Sequence, residues 1–104
     1  MTIQLNTDKN ISGNEKLESY LNSLITEDLT RFSSHITRIE IHLSDDNGSK
    51  KGLNDKRCML EARVENRQPI AVTNHSSTIE DAVNGALDKL KKSLETILGR
   101  LQNH

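Results

Sequence analysis

"ITRIEIHLS", residues 36–44, sets Ile39, Ile41 and Leu43 at every second position, with Arg38, Glu40 and His42 between them. Strand side chains alternate between two faces, so this stretch reads as a strand with one apolar and one charged face. "KRCMLEARVEN", residues 56–66, repeats the pattern. Cys58, Leu60, Ala62 and Val64 face inward, and Arg57, Met59, Glu61, Arg63 and Glu65 share the other side. The polar "DDNGSKKGLND" at 45–55 joins the two runs. It is longer than most hairpin loops, which points to mobility or a contact role. "RQ" and Pro69 predict a tight turn, after which "IAVTN" at 70–74 pairs back as a third run.

Working outward, "TIQLNT" at 2–7 alternates Ile3 and Leu5 with polar neighbours, as a short half-buried strand does. "NISGN" breaks it and offers Ser12 or Asn14 as a helix cap. Leu17, Tyr20, Leu21, Leu24, Ile25 and Leu29 then recur at helical spacing, with Phe32 closing the series. Asp28 lies close to that apolar stripe, so the helix is expected to kink or unwind near Thr26–Asp28. The closing run, "SSTIEDAVNGALDKLKKSLETILGRLQ", carries Val83, Ala86, Leu87, Leu90, Leu94, Ile97, Leu98 and Leu101 as one stripe. Ser77 or Thr78 can cap it, and Glu80 and Asp81 suit the dipole of its first turn.

The predicted order is β-α-β-β-β-α. Two amphipathic helices suffice to cover one face of a four-stranded sheet, leaving the charged face wet. The expected fold class is α+β: a two-layer sandwich with a mostly antiparallel sheet and both helices on one face. The helix between the first two strands permits one parallel pairing. A length of 104 residues fits a single domain spanning 1–104.

Composition narrows the function classes. Tyr20 and Phe32 are the only aromatic residues, so base stacking on exposed rings lacks its platforms. Cys58 is the single cysteine and alternates in phase with Leu60 and Ala62, which predicts a core thiol. The histidines His35, His42, His75 and His104 form no metal-ligating spacing, and "NGSKKG" lacks the phosphate-loop pattern. No cofactor, metal, small-molecule substrate or catalytic group is expected. With no membrane-spanning or signal-like stretch, the expected setting is the cytoplasm, away from membranes.

The net charge of -1 hides an asymmetry. Residues 1–48 hold four basic and eight acidic side chains, and residues 49–104 hold ten and seven. Projected at 100° per residue around Val83, the closing helix gathers Asp81, Asp88 and Glu95 on one flank. Lys89, Lys92 and Arg100 fall on the other, interleaved with Gly85, Ser93 and Thr96. Lys91 sits by the acidic edge, placed for pairing within the helix. Lys50, Lys51, Lys56 and Arg57 make a second basic group. Spacing alone fits both a phosphate grip and a solvated helix face.

The element order, together with "AVNGALDKLKKSLETIL", resembles the ribosome hibernation-promoting and ribosome-associated inhibitor family. The sequence likeness lies over 70–98, where Asp88, Lys89, Leu90, Lys92 and Leu94 follow the family's pattern. The resemblance implies a factor that binds the small ribosomal subunit and its RNA under stress. It would inhibit translation, or promote hibernation, by occupying the mRNA/tRNA channel. Lys89 and Lys92 take the phosphate-contact positions; Arg100 joins them by projection, and Lys91, Lys56 and Arg57 are further RNA-contact candidates. The first helix departs from the family, with Leu24 or Ile25 and Glu27 or Asp28 where lysines are usual. That departure keeps an alternative open: a protein-interaction module whose partner meets the open sheet face.

Overall fold

The computed structural model describes residues 1–11, 15–46 and 55–102, with side chains as far as Gly99. The order is β1 (Thr2–Thr7), α1 (Glu15–Asp28), a 3-10 turn (Thr30–Phe32), β2 (Ile36–Asp45), β3 (Lys56–Val64), β4 (Ile70–Ser76) and α2 (Ile79–Gln102). The four strands lie in sequence order in one sheet. β1 runs parallel to β2, and the β2–β3 and β3–β4 pairs are antiparallel. This is the α+β arrangement that the alternation predicts.

Register explains the two-sidedness. Ile39 stands opposite Ala62, Ile41 opposite Leu60 and Leu43 opposite Cys58, and all six are buried. Leu21, Ile25 and Leu29 from the first helical segment, and Val83, Ala86, Leu87, Leu90 and Leu94 from α2, close the same core. α2 lies against β3 and β4.

Two helix ends resolve open choices. Thr78 caps α2: its Oγ1 accepts the Asp81 N–H at 3.1 Å, and its carbonyl accepts Ala82 N–H at 3.0 Å. α1 stops at Asp28, and the chain tightens into the 3-10 turn, where Thr30 Oγ1 donates to Thr26 O at 2.7 Å. The unwinding therefore falls just after the stretch where it is predicted. The caps proposed at Ser12 or Asn14 lie outside the described residues.

The β3–β4 connection differs from the expected turn at Pro69. β3 ends at Val64, and Asn66 takes φ 61°, a left-handed conformation that asparagine tolerates better than most residues. Arg67 N–H donates to Val64 O at 3.1 Å, so the chain reverses at Glu65–Asn66 before reaching the proline.

Asn74 is a polar residue on the helix-covered face, in register with Cys58. Its Nδ2 donates to Asp81 O at 3.4 Å and to Ala82 O at 3.3 Å. It fits because Gly85 has no side chain; a Cβ there would stand 2.1 Å from Nδ2. In an ordinary helix interior Gly→Ala stabilises by about 1 kcal/mol. Here the Asn74 amide must leave its two carbonyls, at about 1–3 kcal/mol for a partly buried polar group. Gly85→Ala should thus destabilise by about 1 kcal/mol, and in an Asn74→Ala background stabilise by about 1 kcal/mol. Urea melts of the four proteins check this reversal of sign.

Candidate nucleic-acid interface

α2 is amphipathic over its whole length, and its core stripe fixes which lysines reach water. Lys89 and Lys92 are exposed, on the flank that borders the outer edge of β4. Lys89 Nζ donates to Thr73 O at 2.7 Å, which anchors the ammonium on that edge and leaves its other donors free. Lys92 has no ion-pair partner among the described residues. The small residues Ser93 and Thr96 follow it, and Thr96 Oγ1 donates to Lys92 O at 3.0 Å. The backbone of this helix belongs to the described fold at Arg100, but the Arg100 side chain lies outside the described residues.

Lys91 is different. Its Nζ lies 3.4 Å from Asp28 of α1 and 3.6 Å from Asp88. The Asp88 contact is the within-helix pair that its spacing predicts, and the Asp28 contact ties the two helices together. Arg31, just beyond α1, pairs with Glu95 of α2 and lies 4.5 Å over the Phe32 ring. Asp28 therefore answers a lysine of the same chain.

Lys56 is also held. Its Nζ lies 3.1 Å from Asp45 and 3.2 Å from Asp55, carboxylates that are each only 6% exposed. The hydrogen bond to Asp45 raises the Lys56 pKa above the ordinary 10.5, with the Asp55 bond adding to it against a desolvation that lowers it. Asp8 accepts the Asp45 N–H at 3.1 Å, so this knot fastens the exit of β1 to the base of the β2–β3 loop. Lys50 and Lys51 lie outside the described residues.

Arg57, next along β3, is exposed on the open sheet face and has no ion-pair partner among the described residues. The rest of that face neutralises itself. Arg38 pairs with Glu40 at 3.3 Å, Arg63 with Glu61 at 3.6 Å, and His42 stands 3.6 Å from Glu40. Glu40 and Glu61 are opposite each other in register and place two carboxylates at the middle of the face.

Arg67 is the cation that sequence spacing did not single out. It is exposed in the β3–β4 turn, and that turn comes up to Ile97 of α2. Its only signal was a basic residue in a turn, which carries no period.

Cys58 is fully buried, and desolvation pushes its thiol up to about 12, so it is not a thiolate at neutral pH. Among the described residues no group of three or more His, Cys, Asp or Glu side chains could hold a metal ion. Among the same residues no helix is long and apolar enough to cross a membrane.

The domain is a two-layer α+β sandwich whose last helix carries exposed lysines along one edge. The chain belongs to the family described as sigma 54 modulation protein / S30EA ribosomal protein, whose model matches residues 6–102. This is the family that the residues at 70–98 resemble. The fold is similar to the Thermus thermophilus Protein Y N-terminal domain, with a TM-score of 0.73 and 15% identity over 93% of this chain and 99% of that one. It is also similar to a ribosomal subunit interface protein from Coxiella burnetii, with a TM-score of 0.71 and 18% identity over 95% and 99% of the two chains. No curated protein sequence gives a significant match.

Proposed function

We propose that this protein is a cytoplasmic, ribosome-associated RNA-binding factor. It inhibits translation, or promotes ribosome hibernation, by occupying the mRNA/tRNA channel of the small subunit under stress. The family match supports ribosome association, and one of the solved structures it resembles is itself a ribosomal subunit interface protein. The observation that carries RNA contact is the separation of the cations. Among the described residues Lys89 and Lys92 have no carboxylate partner along one edge of α2, while Lys91, Lys56, Arg38, Arg63 and Arg31 are each paired.

In this reading Lys89 and Lys92 contact phosphate, joined by Arg100 further along the helix and by Arg57 at the corner of the sheet. Lys91 and Lys56 act through the fold, by clamping α1 to α2 and closing the β2–β3 loop. No bond is made or broken; the mechanism is occlusion and charge neutralisation. Co-sedimentation with purified small ribosomal subunits at low and moderate salt tests it. Phosphate-driven binding falls steeply as salt rises, and absence of binding at low salt rejects the proposal.

The Asp28–Lys91 contact makes a separate prediction. Asp28→Asn takes away one of the two carboxylates that hold Lys91, leaving Asp88, and makes the protein one charge less acidic. Association should strengthen about threefold with little change in the salt slope. Thermal stability should change little, because both partners are about a third exposed. Salt titrations of the two proteins against small subunits check it.

The open sheet face favours a second reading, a protein-interaction module. Its alternating Arg38, Glu40, Glu61 and Arg63 suit a mixed-charge protein surface better than phosphate. Binding that is retained at moderate salt, and lost on substitution of Arg38 and Glu61, would favour this reading.

A further inference from the structure

The sheet has two outer edges, and they are finished differently. At β4 the edge is blunted. Pro69 stands immediately before the strand, and Lys89 Nζ donates to Thr73 O at 2.7 Å, halfway along it. Proline and lysine are among the devices that keep an edge strand from pairing with another chain. β1 carries neither. Thr2–Thr7 holds no proline and no charged side chain. Apart from β2, no group among the described residues bonds to its main chain.

The phase of that edge follows from one bond. Asp8 N–H donates to Leu43 O at 3.1 Å, so the main chain of Asp8 turns toward β2. Successive residues of a strand turn their N–H and C=O to opposite edges, so Asn6, Gln4 and Thr2 face β2 as well. Ile3 and Leu5 therefore direct their N–H and C=O outward, to water alone. Their side chains are also incompletely covered. Ile3 and Leu5 are half-buried, whereas Ile39 and Ile41, their register partners in β2, are fully buried.

We propose that β1 is a self-association edge, which pairs antiparallel with β1 of a second copy of this chain. The strand selects its own register. Residues directly opposite in an antiparallel pair point to the same face, so a two-fold axis at Gln4 sets Ile3 of one copy against Leu5 of the other. Thr2 then meets Asn6, and Gln4 meets Gln4. The apolar pairs extend the core across the junction on the helix-covered face, and the polar pairs share the open face. A slip of one residue would set apolar against polar. Each Ile3–Leu5 pair exchanges both of its N–H···O bonds, and no like charges meet. A foreign strand would have to match this pattern, whereas a second copy does so by symmetry. β1 and β4 are opposite edges of the sheet, so Lys89 and Lys92 stay uncovered at the two ends of the dimer. The contact is small, which makes the dimer weak, with a dissociation constant on the order of 100 μM.

Sedimentation equilibrium of the full chain tests it, after removal of nucleic acid, because two copies on one RNA would mimic a dimer. Wild type should pass from monomer to mostly dimer between about 10 μM and about 1 mM. Over that range amide exchange at Ile3 and Leu5 should slow about fivefold, with the β4 amides unchanged. Gln4 is exposed, so charged residues there keep the fold. Gln4→Lys and Gln4→Glu each set like charges face to face on the axis and should weaken dimerisation about fivefold. An equimolar mixture of the two should form mixed dimers at least as tight as wild type. Because Gln4 also stands beside Glu40, the recovery in the mixture is the decisive reading, more than the loss in either variant. A chain that stays monomeric to about 1 mM overturns the proposal. So does a dimer that protects the β4 amides instead, or a mixture no tighter than its components. None of these outcomes touches the ribosome reading, which depends on α2.

Discussion

Lys89→Glu/Lys92→Glu is expected to lose association with small ribosomal subunits by about a hundredfold at low salt and to flatten the salt slope by about 1.5. Both ammonium groups lie at the exposed edge of α2, and no carboxylate among the described residues balances either one. Reversing them removes two phosphate contacts and places two negative charges where a polyanion must approach. Lys89 has one structural contact, to Thr73 O, so its loss uncovers a carbonyl on a solvent-facing edge. A water replaces it, and the thermal transition should stay within about 1 kcal/mol of wild type. Lys91→Gln provides the contrast. That lysine already faces Asp28 and Asp88, so its neutralisation should leave the salt slope nearly unchanged. If Lys91→Gln weakened binding as much as the double reversal, the division of labour along α2 would be wrong. Co-sedimentation of the three proteins at two salt concentrations decides it.

That division is the part of the site which spacing could not settle. Helical projection separates Lys89 and Lys92 from Lys91 and places Asp88 beside Lys91. It is blind to Asp28, which meets Lys91 from another helix far away in sequence. The same holds for Arg31 and Glu95. The first helix departs from the resemblance by its acidic residues. In three dimensions one of them, Asp28, is paired with Lys91 of α2.

The strands were more legible, because period-two alternation is a local property and burial follows directly from it. Ile39, Ile41, Leu43, Cys58, Leu60, Ala62 and Val64 are all buried, as their phase requires. The Lys56 knot had a signal too. Once β2 and β3 pair around the polar loop, Asp45 stands opposite Lys56 in register, and opposite charges facing across strands attract. Read by residue type alone, Lys56 joined the basic group of the loop. Gly85 shows the same gap from the other side: it reads as a small residue in a basic strip, and its geometric reason is Asn74.

The knot predicts the largest loss of stability outside the core. In Lys56→Met the cation between Asp45 and Asp55 disappears, while both carboxylates stay almost wholly buried. Removing one partner from a buried ionic cluster is far more damaging than never having built it, because the remaining charges keep their desolvation penalty. Lys56→Met should lower Tm by several degrees. Asp55→Asn in the same chain should recover much of that loss by removing one of the two facing charges, a coupling expected only of groups in contact. The pH dependence separates this account from a simple packing defect. In wild type the Lys56 pKa is raised above 10.5, so the stabilisation is complete below that ordinary value. It is lost only as pH climbs through the raised one. The wild-type protein should therefore show an alkaline loss of stability that Lys56→Met lacks. A deficit that stayed constant across the pH range would mean that Lys56 acts through its aliphatic stem and that the knot is not electrostatic.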